Sequence, residues 1–97
     1  MAKGIHRQGD VTEGHGCWPP TSPAAYSGNV FANGLPVVRQ GDGIVPHTCP
    51  SIPETHGGVY TGGGSVYANG KPVQRVGSAV SCGDAARTGS GDVLVGD

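Results

Sequence analysis

The sequence predicts an all-β fold of short hairpins, and three observations carry that expectation. Gly 19 and Pro 8 are spread through 97 residues, so no window of a dozen residues escapes both while keeping an i, i+3, i+4 apolar stripe, which excludes helix. The glycines recur beside Asp and Asn, where strands joined by tight turns need positive φ. Asn-Gly occurs at 33–34 and 69–70, each time between two β-prone runs, and this dipeptide is the strongest short-range hairpin signal.

Each element follows from a repeat. Gly28-Asn29-Val30-Phe31-Ala32-Asn33-Gly34-Leu35-Pro36-Val37-Val38-Arg39-Gln40-Gly41 lies without a gap over Gly64-Ser65-Val66-Tyr67-Ala68-Asn69-Gly70-Lys71-Pro72-Val73-Gln74-Arg75-Val76-Gly77. In both copies a short strand meets Asn-Gly, and a second run begins near a proline, which lacks a backbone donor and suits an edge. A third copy is split between the termini. Ile5-His6-Arg7-Gln8-Gly9-Asp10 repeats Val37-Val38-Arg39-Gln40-Gly41-Asp42, while Gly89-Ser90-Gly91-Asp92-Val93-Leu94-Val95-Gly96 resembles the approach and first strand of each hairpin. The N-terminus thus supplies a second strand and the C-terminus a first, predicting three similar pieces around an approximate three-fold axis, in one domain over 1–97.

Composition limits what such a fold can be. With 35% hydrophobic and 5% aromatic residues, apolar burial alone gives a thin margin over the entropy lost on folding, and a staple is expected. Six Lys and Arg against seven Asp and Glu, a net charge of -1 and no basic block argue against nucleic acid as a partner. No apolar region follows Met1-Ala2-Lys3-Gly4, so no signal peptide is expected and synthesis is placed in the cytoplasm. A reducing compartment disfavours disulfides, which makes metal ligation the better use of Cys17, Cys49 and Cys82.

The histidines fall into the repeat. His15 follows Asp10 by five residues and His47 follows Asp42 by five; Cys82-Gly83 follows the third corner, Arg75-Val76-Gly77-Ser78, and His56 sits in a loop ahead of the second hairpin. If the corners meet at one end, His15, His47, His56 and Cys82 gather as three imidazoles and a thiolate, a closed tetrahedral set suited to structural Zn²⁺, with Fe²⁺ as an alternative. His6 is read as a non-ligand, because its counterparts are Val38 and Gln74 within a strand. Cys49, two residues past His47, is held as a reserve ligand, and Cys17 is expected to pack under Trp18.

Pro36 to Asp42 and Pro72 to Ser78, with Gly4 to Asp10 as a Pro-less opening copy, resemble the repeated motif of the PAAR proteins of contractile injection machines; the literal Pro23-Ala24-Ala25 is out of register. The resemblance covers nearly the whole chain. It departs at Val for Ala, at Gln74 and at Ser78 for Asp. It implies a cone whose base sits, one monomer per spike, on a homotrimeric β-helical spike such as VgrG of type VI secretion or a phage tail spike. It also implies an apical metal on His15, His47, His56 and Cys82, and transient contact with the target membrane. A chain ending at Asp97 is most similar to a bare tip, as in the central spike of a T-even phage baseplate. The expected function is therefore a structural, non-enzymatic tip that sharpens the spike for piercing an envelope. The alternatives are an adaptor loading a toxin effector onto the spike, and a small metal hydrolase using Glu13 or Glu54 as base.

Overall fold

A computed structural model describes residues 2–96, and among them all regular structure is strand. The elements in order are β1 (Lys3–Gly4), β2 (Phe31–Ala32), β3 (Leu35–Pro36), β4 (His47–Cys49), β5 (Glu54–His56), β6 (Tyr67–Ala68), β7 (Lys71–Pro72) and β8 (Leu94–Val95). They pair as antiparallel ribbons β2–β3, β6–β7, β4–β5 and β1–β8.

The two Asn-Gly turns form as the dipeptide demands. Asn33 and Gly34 have φ of 54° and 78°, and Asn69 and Gly70 have 56° and 77°, the positive pair that a type I′ hairpin turn requires. Ala32 faces Leu35 and Ala68 faces Lys71 across these turns, so each second strand starts one residue before its proline. The ribbon of the two termini has the same register, Val95 opposite Lys3 and Leu94 opposite Gly4. Gly4 stands where the other copies have proline, and a Cβ there would overlap the Ser90 carbonyl oxygen. The close approach of the Ser90 segment, ahead of the C-terminal strand, therefore requires glycine at this position.

The three second strands continue into a closed ring. The His6 amide donates to the Gln74 carbonyl, Gln74 to Val38 and Val38 to His6, at 2.9, 2.9 and 3.0 Å. Around it Ile5 bridges Arg75, Arg7 bridges Val37 and Arg39 bridges Val73. Each strand thus serves the next in cyclic order, which leaves these edges paired without a large sheet. His6, Val38 and Gln74 at the centre are completely buried.

Two core clusters lie along the molecule, whose principal extents are 38 × 25 × 21 Å. The first gathers Ile5, Val37 and Val73 from the ring with Ala32, Ala68 and Val95 from the hairpins. The second gathers Val38, Ile44, Tyr60, Val80 and Ala86, with Cys82 packed against it. Each ring strand ends in a turn with glycine at positive φ, Gly9 at 88°, Gly41 at 89° and Gly77 at 94°. Asp10 and Asp42 accept from the Arg7 and Arg39 amides and pair with the same guanidinium groups. Ser78 accepts from the Arg75 amide at 2.9 Å, so a hydroxyl caps the third turn as a carboxylate caps the other two.

Candidate metal centre

The corner turns launch the loops that carry the histidines. His15 opens a tight turn with Trp18 in which each backbone amide donates to the other's carbonyl, at 3.0 and 2.9 Å. Gly14 and Gly16 on its flanks have φ of 77° and 55°. His47 and His56 are cross-strand partners at one end of the β4–β5 hairpin. The repeat did not reveal this hairpin, because its turn lacks Asn-Gly and runs between Pro50 and Pro53; His56 therefore lies on a strand, where a loop was expected. Cys82, a free thiol, follows Val80 of the second core cluster.

These elements bring His15, His47, His56 and Cys82 together, one donor atom from each lying within 4.8 Å of the others. Nε2 of His56 is 3.0 Å from Nε2 of His15 and 2.9 Å from Nε2 of His47. The Nδ1 proton of His47 is donated to the Pro19 carbonyl at 2.8 Å, so its Nε2 turns a lone pair toward the cluster. Desolvation, then the proximity of His47 and of His15, holds His56 below the ordinary histidine pKa, with Glu54 and Asp84 opposing. Three lone-pair nitrogens and a sulfur around one point fit a tetrahedral cation, whose imidazole nitrogens stand about 3.3 Å apart. Among the described residues, no carboxylate belongs to the cluster.

Two expectations are corrected around it. Cys17 and Cys49 form a disulfide with their Cα atoms 5.1 Å apart, so Cys49 is not a reserve ligand, and Cys17 is exposed instead of buried under the indole. Each cysteine follows a cluster histidine by two residues. In β4 that interval points His47 and Cys49 to one face, while Cys17 sits in the His15–Trp18 turn, so the approach of the two loops at the histidines brings the thiols together. Trp18 instead lies against the imidazoles, its ring 4.5 Å from His56 at 23° and 5.2 Å from His15 at 18°. Its indole N–H donates to the Glu54 carbonyl. The sequence signal that could have found this role is its place three residues after His15 in a Gly-rich turn.

His6 is apart from the cluster. Its Nδ1–H donates to the Thr88 carbonyl at 2.7 Å, and its Nε2 accepts from the Tyr60 hydroxyl at 2.8 Å. Burial lowers its pKa, as expected for an imidazole kept neutral inside a protein. Glu13 and Glu54 are exposed. A cavity of about 360 Å³ is lined by Lys3, Gly62, Arg75, Ser78 and neighbouring backbone, and contains none of the four cluster residues.

Fold and site together define a class: a small all-β cone of three repeated hairpin units, closed around a pseudo-three-fold axis and carrying a His/Cys cluster able to hold a metal ion. The PAAR motif family model matches residues 2–88, and the chain belongs to that family, which provides spike-tip components of contractile injection and type VI secretion machines. Its members sit at the tip of VgrG-type spikes. A search of curated proteins found no match.

Proposed function

We propose that this protein caps the blunt end of a homotrimeric β-helical spike with its hairpin face and directs the His/Cys loops outward as a piercing point. The observation that carries this reading is the equivalence of the three hairpins. Phe31, Tyr67 and Leu94 occupy the same position in the three units and are 55%, 60% and 55% exposed, while the next residues, Ala32, Ala68 and Val95, turn inward. A monomer with three matching apolar contacts is complementary to a partner with true three-fold symmetry. Large exposed apolar side chains in such a pattern are the sign of a docking surface.

The outward loops need stability without a broad core. His15, His47, His56 and Cys82 would hold Zn²⁺ as a structural ion with a complete protein ligand set, locking three loops to one point. Such a shell leaves no place for a metal-bound water, and Glu13 and Glu54 lie outside the cluster, which supports a mechanical role over hydrolysis.

The test is to mix purified protein with the trimeric spike protein of the same machine and measure stoichiometry by light scattering. One chain per trimer is expected, and Phe31→Asp with Tyr67→Asp should weaken binding at least tenfold while leaving the fold intact. Three chains per trimer, or undiminished binding by the double variant, would sink the reading. Recovery of a toxin effector in the same complex would turn the assignment to an adaptor. Metal analysis of wild type beside His56→Ala and Cys82→Ser tests the ion; stoichiometric zinc in both variants would remove the assigned ligands.

A further inference from the structure

Asp84 stands two residues beyond Cys82 on the turn that returns from the cluster, and it is 3% exposed. Its Oδ1 accepts the Gly14 amide at 2.8 Å and the Ala85 amide at 2.8 Å. Gly14 immediately precedes His15, so one carboxylate oxygen ties the His15 loop to the Cys82 loop. The other oxygen, Oδ2, is buried and has no hydrogen-bond partner among the described residues. Arg7 and Arg39 are each paired with the aspartate of their own corner, Asp10 and Asp42.

A buried carboxylate oxygen without a donor is costly, and two backbone amides on the opposite oxygen do not neutralise the charge. No hydrogen-bond donor of the described residues reaches Oδ2, which leaves a place for a compensating cation. Loaded with a divalent ion, the neighbouring cluster would carry one charge of that sign in excess. Three neutral imidazoles and one thiolate carry a single negative charge, so a divalent cation leaves the centre with one net positive charge, and one adjacent carboxylate brings the sum to zero. The loop bearing Asp84 also lies against the ring it would serve: a Cβ added at Gly83 would stand 3.8 Å from Nδ1 of His15.

We propose that Asp84 is the outer-shell anion of the metal centre, a positioning residue whose buried charge is balanced by the bound divalent cation rather than by any side chain. The proposal rests on the ligand assignment made above. It assigns Asp84 two effects of opposite sign: the carboxylate destabilises the metal-free protein and strengthens the hold on the ion. Outer-shell partners hydrogen-bonded to ligands typically change metal affinity 10- to 100-fold, and Asp84, tied to the amide that precedes His15, is expected to act within that range.

The test compares wild type with Asp84→Asn, which keeps an oxygen for the Gly14 amide and removes the charge. Zinc affinity is measured by competition with a chromophoric chelator, and thermal midpoints are taken for metal-free and zinc-loaded protein. The asparagine variant is expected to bind zinc about 10- to 100-fold more weakly, with a metal-free midpoint at or above that of wild type and a smaller rise on loading. Should it fail to fold, Asp84→Ser, which retains a hydroxyl acceptor without charge, takes its place. Unchanged zinc affinity, with both midpoints lowered equally, would reduce Asp84 to a loop tie and overturn the proposal alone. A wild-type protein that binds no zinc would overturn the ligand assignment and this proposal with it.

Discussion

His6 shows how much one position in the ring can decide. Its equivalents are Val38 and Gln74, all three fully buried, so an imidazole occupies a place where one copy uses a hydrocarbon and another an amide. It is tolerated because both ring nitrogens are satisfied, Nδ1–H by the Thr88 carbonyl and Nε2 by the Tyr60 hydroxyl. Burial depresses its pKa below 6.5, so the unfolded chain binds a proton more readily than the folded one as pH falls. The stability His6 contributes is therefore complete above pH 6.5 and lost progressively below it, toward the depressed value. In metal-free protein, the fall in thermal midpoint between pH 7 and pH 5 should be smaller for His6→Gln than for wild type, and parallel curves would contradict this. Removing the phenol hydroxyl with Tyr60→Phe leaves Nε2 as a buried acceptor without a donor, expected to cost about 1–3 kcal/mol in denaturant unfolding. Gln74, a departure from the family pattern, is accommodated by the same rule, its amide exchanging hydrogen bonds with both the N–H and the carbonyl of Gly62.

At the scale of elements, equal turns should have equal energetics. Gly34 and Gly70 have φ of 78° and 77°, and a Cβ at either meets nothing within 4 Å. Alanine there pays only the left-handed backbone penalty, about 1–2 kcal/mol. Gly34→Ala and Gly70→Ala should thus lose similar stability in urea titrations, whereas Gly4→Ala, which drives a Cβ into the Ser90 carbonyl, should lose more. A Gly4 variant as mild as the turn variants would argue against the close approach of the Ser90 segment to β1. The two Asn-Gly ribbons were legible because their signal is local. The β4–β5 hairpin was not, because Thr48 and Thr55 alternate with His and Cys instead of with aliphatic residues, and its prolines read as loop.

For the whole molecule, the disulfide and the proposed metal centre would act on the same loops. The Cys17–Cys49 disulfide closes a separation of 32 residues, and by chain entropy a loop of that length is stabilised by about 3–4 kcal/mol. In the proposed role the cluster would tie His15 and His47 through a cation as well, and would add His56 and Cys82, which the disulfide does not reach. Chelation of metal-loaded protein should consequently lower the thermal midpoint further in Cys17→Ser with Cys49→Ser than in the disulfide-bonded chain, since in each case the remaining tie limits the loss. Equal shifts on chelation would mean that the two cross-links constrain different parts of the molecule. No helix among the described residues is long and apolar enough to cross a membrane, and envelope contact in the proposed role falls to the loops at the cluster.

The sequence by itself determined the two Asn-Gly hairpins, the corner turns and the split third unit, because Asn-Gly, Gly-Asp and a gapless repeat act over a few residues and need no distant partner. It also marked His15, His47 and Cys82 by their place after the repeated corners, with His56 added from the loop ahead of the second hairpin. Only the tertiary structure decided that Cys17 meets Cys49, that Trp18 covers the imidazoles and that Asp84 is left with a buried, unpartnered oxygen. Each of these depends on the distance between loops far apart in the chain. That distance is set by the cyclic closure of the ring strands, which no local pattern encodes.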